Sequence, residues 1–132
     1  MYTTDDKKSW GEHIVIGRGD GYKVKRLTFH PHKSTSVQFH HYRSELMQCV
    51  EGTVEVIITE LDKGEKFNQL KPTINVLNVG DFISVPVHTI HQIRNQTDAN
   101  ACIIEIQTGQ DDMLEEFDIC RLDPRGINNY PT

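Results

Sequence analysis

The chain has 132 residues, of which 36% are hydrophobic and 25% charged, and its formal net charge is −5. This length and composition predict one globular domain spanning residues 1–132. The acidic balance argues against nucleic acid as a partner, because phosphate groups require a basic face. No apolar run reaches the roughly 18 residues of a membrane span, and the N-terminus lacks the basic-then-apolar layout of a signal peptide. We therefore expect a cytoplasmic protein that does not bind membranes.

Short runs rich in Val, Ile, Thr and Phe follow one another along the chain and predict β-strands. Turn residues such as Gly52 and Gly80 separate these runs. An early segment, 13–17, is a candidate edge strand that offers a pairing surface for a second chain, as in a homodimer. The other predicted strands cover 22–30, 36–39, 45–50, 53–61, 81–86, 91–95 and 101–108.

Two further segments differ from the strands. Residues 62–73 are polar and are expected to form a long solvated hairpin excursion. Residues 111–119 are predicted to form a short helix, because acidic residues crowd its first turns. Many short strands with regular turns and no long helix indicate an all-β sandwich or barrel with a short C-terminal helix.

Four side chains from two distant parts of the chain have the types and spacing of a metal site. Gln38 and His40 are two positions apart on a predicted strand, so they share a face and lie about 6.6 Å apart along it. Glu45 begins the next strand, where antiparallel pairing places it beside His40, and His91 arrives from a strand far downstream. The sequence predicts one divalent ion per chain held by Gln38, His40, Glu45 and His91, with Zn²⁺ the first choice and Mn²⁺, Co²⁺ or Fe²⁺ the alternatives.

The spacing of these residues resembles the two motifs of the cupin superfamily. In this chain the motifs are His40-x4-Glu45-x6-Gly52 and Pro86-x4-His91-x3-Asn95. The resemblance implies a single cupin barrel, which is a double-stranded β-helix of jelly-roll type.

A narrower resemblance rests on the Gln-x-His-x-x-Arg-x-Glu motif that starts at Gln38, together with the stretches 22–27, 50–53, 86–95, 104–109 and 118–123. These features are similar to the type II mannose-6-phosphate isomerases, in which the domain follows a mannose-1-phosphate guanylyltransferase. The similarity covers roughly residues 9–126, which we take as the core of the domain, and the guanylyltransferase half has no counterpart in this sequence. It implies a stand-alone, metal-dependent isomerase of hexose phosphates that supplies precursors for polysaccharides.

Such an isomerase needs a base near the metal to move a proton between neighbouring carbons, and it needs cations to hold the substrate phosphate. The candidates are Glu105, Lys25 and Arg121 for catalysis, and Arg43 and Arg121 for phosphate binding. Glu105 and Gln107 alternate with isoleucines on their strand, so Glu105 faces the barrel if the isoleucines face outward. The sequence leaves the choice between the two faces open.

Two other functions fit the same scaffold. The C-terminal tail departs from the isomerase pattern at residues 123–127, where a Tyr is lost and an Arg is displaced. This change is compatible with a non-catalytic sugar-binding or regulatory cupin. The third function is a metal-dependent cupin oxygenase, which requires a redox metal with an open coordination position.

Overall fold

A computed structural model describes residues 5–60, 72–110 and 119–122 of the chain. These residues form β-strands and connecting turns, and none of their segments is a helix that could cross a membrane. The strands are β1 (Asp5–Lys8), β2 (Gly11–Gly19), β3 (Tyr22–Phe29), β4 (Lys33–Ser34), β5 (Val37–His40), β6 (Ser44–Glu51), β7 (Thr53–Glu60), β8 (Thr73–Asn78), β9 (Phe82–Val85), β10 (Thr89–Asn95), β11 (Ala101–Thr108) and β12 (Ile119–Leu122).

The described strands form two antiparallel sheets. The first has the order β1-β2-β3-β11-β6-β9, and the second has the order β12-β5-β10-β7-β8, with β4 also paired to β10. Strands distant in sequence are neighbours in both sheets, since β11 lies between β3 and β6, and β10 lies between β5 and β7. This arrangement confirms the predicted all-β jelly-roll barrel. The predicted antiparallel pairing of the strands that carry His40 and Glu45 is wrong, because β5 and β6 lie in different sheets.

All seven strands predicted between residues 22 and 108 are present, with ends that shift by a few residues. The short helix predicted over 111–119 falls outside the described residues except for Ile119, which begins β12. The polar excursion predicted over 62–73 also lies outside them except for its last two residues, and Thr73 begins β8. The sequence prediction missed β1, β4, β8 and β12, which are short or lie beside the polar segments.

The predicted edge strand over 13–17 is part of β2, and it is not a free edge along its first residues. His13 and Ile14 pair with Asp6 and Asp5 of β1, because the chain folds back on itself at residues 9–10. On its other side β2 pairs with β3. The predicted free edge is therefore wrong for His13 and Ile14, while pairing with a second chain as a homodimer stays a prediction.

The barrel interior is apolar at one end. Trp10 stacks on Phe29 with ring centroids 4.6 Å apart. Gly52 lies in the turn after β6 with a positive φ of 71°, and a side chain there would meet Asn100 O at 2.8 Å, so glycine is required. The buried core consists of Leu27, Phe29, Met47, Cys49, Val54, Val56, Leu77, Val85, Ile93, Ala101 and Ile103.

Candidate metal centre

Three of the four predicted ligands lie together at the polar end of the barrel. His40, Glu45 and His91 are each at most 4% exposed. One ligand atom from each lies within 4.8 Å of the others. His40 Nε2 lies 3.3 Å from Glu45 Oε2, and His91 Nε2 lies 3.3 Å from Glu45 Oε1. The carboxylate therefore lies between two imidazoles.

The backbone fixes this arrangement through a direct link between β5 and the turn before β10. His40 is the last residue of β5, and its carbonyl oxygen accepts a hydrogen bond of 2.8 Å from the backbone N–H of His88. His88 adopts a positive φ of 59°, which non-glycine residues rarely do. Three residues later His91 enters the barrel opposite Gln38 of β5. The turn thus holds the two histidine-bearing strands in a fixed relation.

The hydrogen bonds of the site fit a bound cation. His91 Nδ1 lies 3.0 Å from the carbonyl oxygen of Thr89, which can only accept, so in the neutral ring Nδ1 carries the proton and Nε2 presents a lone pair to Glu45. Glu45 Oε1 has no hydrogen-bond donor and is buried. His91 Nε2 and Glu45 Oε1 are therefore two buried acceptors that face each other, and they require a proton or a metal ion between them. Burial acts to lower the pKa of His91, but the Glu45 carboxylate outweighs it and raises this pKa.

The other oxygen of Glu45 is occupied by donors. Arg43 Nε donates to Oε2 at 3.2 Å, and Gln107 Nε2 lies 3.5 Å from the same oxygen. Arg43 also reaches His40, with a guanidinium nitrogen 3.4 Å from Nε2. Burial acts to raise the pKa of Glu45, but the two histidines hold it well below its usual range, so the carboxylate is ionised. An anionic carboxylate and two imidazoles are a donor set suited to a divalent transition metal.

The remaining candidates occupy different positions. Gln38 is in register with His91, and its Nε2 lies 3.5 Å from both the carbonyl and the hydroxyl oxygen of Ser36. Arg121 lies on β12 in register with Gln38, on the side of β5 away from β10. The role of Gln38 as a fourth ligand and that of Arg121 as a substrate contact stay predictions.

A polar cluster continues from the metal centre across the first sheet. The structure resolves the choice of faces on β11, because Glu105 is 4% exposed and points inward while Ile104 and Ile106 are only half-buried. Lys25 is buried opposite Glu105. The inward-facing residues form two adjacent cross-strand rows, Lys23–Gln107–Glu45 and Lys25–Glu105–Met47.

The environment of Glu105 differs from that of Glu45. Burial, and then the negative charge of Glu45, raise the pKa of Glu105 above its ordinary value, although Arg43 and Lys25 act in the opposite direction. The two carboxyl groups are therefore pushed apart in pKa, which is the pattern expected when one holds a cation and the other transfers protons.

The sequence reasoning did not single out Lys23 or Gln107 as members of the site. Both are almost fully buried. The available signal was alternation, since Lys23 shares a strand face with Lys25, and Gln107 shares one with Glu105. A prediction that the polar face of β3 and β11 points into the barrel would have included Lys23 and Gln107.

Removal of the metal is expected to destabilise the fold. An ion held by the folded arrangement of His40, Glu45 and His91 would not be held by the open chain, so a chelator should lower the melting temperature. At a free metal concentration about 100 times Kd, the expected stabilisation is about 2.7 kcal/mol. Differential scanning calorimetry before and after verified metal removal measures this change. Identical melting curves would contradict a structural contribution of the ion.

Comparisons with known proteins agree with this fold. The family described as "Mannose-6-phosphate isomerase C-terminal" matches residues 2–124. The chain is 32% identical over 118 residues to mannose-1-phosphate guanylyltransferase ManC of Salmonella typhimurium, covering 89% of this chain and 22% of that protein. It is 30% identical over 116 residues to the xanthan biosynthesis protein XanB of Xanthomonas campestris, covering 88% of this chain and 22% of that protein.

Among solved structures, the capsular polysaccharide assembling protein CapF of Staphylococcus aureus is similar in fold. The TM-score is 0.70 at 15% identity, over 96% of this chain and 32% of that one. The chain spans about a fifth of the length of the curated relatives named above. The match over residues 2–124, together with the jelly-roll fold, places this chain in the mannose-6-phosphate isomerase C-terminal family of cupins.

Proposed function

We propose that this domain interconverts an aldose and a ketose hexose 6-phosphate, with mannose 6-phosphate and fructose 6-phosphate as the substrate pair. The observation that carries the proposal is the buried carboxyl of Glu105 beside the triad of His40, Glu45 and His91, within one polar interior. A base of raised pKa next to a candidate metal centre is what proton transfer beside a carbonyl requires. The names of the relatives support a role in polysaccharide precursor supply.

The charge of the interior supports an anionic substrate. Among the described residues, the buried cations are Lys23, Lys25 and Arg43, and the buried carboxylates are Glu45 and Glu105. Cations outnumber carboxylates even before a divalent ion is added. A buried site with excess positive charge attracts an anion strongly, which favours a sugar phosphate over a neutral sugar.

In the proposed reaction Glu105 takes the proton from C2 of the aldose and returns it to C1, while a proton moves from the C2 oxygen to the C1 oxygen. Lys25, which faces Glu105 across the β3–β11 pair, provides positive charge where the sugar oxygens become negative. A divalent ion held by His40, Glu45 and His91 would polarise the carbonyl and adjacent hydroxyl. The same steps in reverse convert the ketose to the aldose.

Two arginines are proposed for the phosphate. Arg43 donates from Nε to Glu45, and another of its guanidinium nitrogens lies 3.4 Å from His40 Nε2, so its guanidinium is already engaged at the candidate metal centre. Arg121, on β12, is the cation that the resemblance places in the tail, and an arginine can grip two phosphate oxygens at once. We assign the main phosphate contact to Arg121.

The test is turnover of matched sugars by the Zn²⁺-loaded protein. Mannose 6-phosphate and fructose 6-phosphate should interconvert, and free mannose at the same concentration should not, because free mannose carries no phosphate for the two arginines to bind. Chromatographic separation of the two hexose phosphates follows the reaction directly. Binding of mannose 6-phosphate without turnover would replace the isomerase by a sugar-binding cupin, and oxygen uptake with an iron-loaded protein would point to the oxygenase.

A further inference from the structure

Gln107 contacts both carboxyl groups of the site. It lies on β11 between Lys23 of β3 and Glu45 of β6, and it is 1% exposed. Its Nε2 lies 2.6 Å from Glu105 Oε1 and 3.5 Å from Glu45 Oε2. One amide therefore bridges the candidate metal ligand and the proposed base.

The orientation of this amide follows from its neighbours. The ionised carboxylate of Glu45 only accepts hydrogen bonds, so the atom of Gln107 that faces Glu45 and Glu105 is the NH₂ group, which has two hydrogens to donate. The carbonyl oxygen, Oε1, then has no hydrogen-bond partner among the described residues. An amide buried for packing alone normally satisfies both of its polar atoms. Gln107 instead places its donors on the two carboxylates and leaves its acceptor open within the site.

The donors also distinguish the two oxygens of Glu45. Arg43 and Gln107 both contact Oε2, which also lies 3.3 Å from His40 Nε2, whereas Oε1 has no donor and faces the lone pair of His91 Nε2. A carboxylate fixed in this way presents one defined oxygen to a cation. Hydrogen-bonded partners of this kind orient metal ligands and affect metal affinity.

We propose that Gln107 is a positioning residue that orients Glu45 for the metal ion and Glu105 for proton transfer. The part that concerns Glu105 rests on the proposed isomerase function, whereas the part that concerns Glu45 does not. Loss of the bridging amide should therefore weaken metal binding whether or not the protein is an isomerase, and it should slow turnover if it is one.

The experiment uses Gln107→Leu, which has a similar volume and no donor. Its Kd for Zn²⁺, measured by competition with a chromogenic chelator, should rise about 10- to 100-fold. Its kcat with mannose 6-phosphate at saturating Zn²⁺ should fall on the order of 100-fold, as for a base displaced by about 1 Å. KM should change little, because the two arginines proposed for the phosphate are unchanged. A fall in kcat at constant KM separates a positioning role from a general loss of structure.

Gln48→Leu is the matched control. Gln48 is exposed on β6, and its Nε2 donates to Gly80 O at 3.1 Å, away from the barrel interior. Its Zn²⁺ affinity and kcat should equal those of the wild type. If Gln48→Leu lost as much Zn²⁺ affinity and kcat as Gln107→Leu, the proposal would be overturned, because the loss would then not depend on the amide that bridges Glu45 and Glu105.

Gln107→Asn covers the case in which the leucine variant does not fold. It retains an amide, but the shorter side chain withdraws the donor from both carboxylates. The proposal predicts the same rise in Zn²⁺ Kd, and wild-type affinity in Gln107→Asn would overturn it. If the wild type binds Zn²⁺ but turns over no hexose phosphate, the proposed function fails, and the Zn²⁺ measurement still decides the role of Gln107.

Discussion

His91→Ala and His40→Ala should each weaken Zn²⁺ binding by more than about 100-fold, which exceeds the effect expected for an outer partner of the ligands. Each variant removes one of the three donor atoms that lie within 4.8 Å of one another. It also leaves the ionised Glu45 with a single imidazole neighbour. Elemental analysis after dialysis gives the occupancy, and chelator competition gives the Kd.

His41→Ala is the control for this prediction. His41 follows His40 directly, but it is exposed, and its ring contacts those of Phe39 and His88 on the outer side of the strand. Its removal should leave Zn²⁺ occupancy unchanged. Full occupancy in both His40→Ala and His91→Ala would show that the buried triad does not hold a metal.

Glu105→Gln should reduce kcat about 10²- to 10⁴-fold, the range typical of a lost general base. The change keeps the size of the side chain and removes its ability to accept a proton. Metal content should stay at the wild-type level, because Glu105 is not among the three clustered donors. Stability should not fall, since burial and the charge of Glu45 already disfavour the ionised form of Glu105.

Steady-state kinetics with both hexose phosphates, together with elemental analysis, test the role of Glu105. Glu55→Gln is a suitable control, because Glu55 lies on β7 and pairs with Arg94 at the partly exposed surface. A kcat unchanged in Glu105→Gln would assign the proton transfer to another group. Loss of the metal in this variant would instead make Glu105 part of the metal centre.

Local patterns in the sequence predict much of the candidate site. Alternation along a strand places Gln38 and His40 on one face, and the spacing to Glu45 fits the start of the next strand. The first relation follows from backbone geometry alone, whereas Glu45 reaches His40 from the other sheet and not from a paired strand. The distant His91 was found through its motif, and the structure brings it within ligand distance of Glu45. The role of Gln38 as a fourth ligand stays a prediction, and its amide nitrogen lies 3.5 Å from two oxygens of Ser36.

The sequence by itself determined the all-β class and the order of the main strands, which follow from composition and period-two spacing. It also provided the three clustered metal-ligand candidates, through the spacing of His40, Glu45 and His91 within the two motifs. Only the tertiary structure decided that Glu105 faces inward and that Gln107 bridges it to Glu45. That outcome depends on β11 pairing with both β3 and β6, strands more than 50 residues away in sequence. A one-residue shift in either register would turn the opposite face of the strand inward, and no local pattern fixes a pairing between such distant segments.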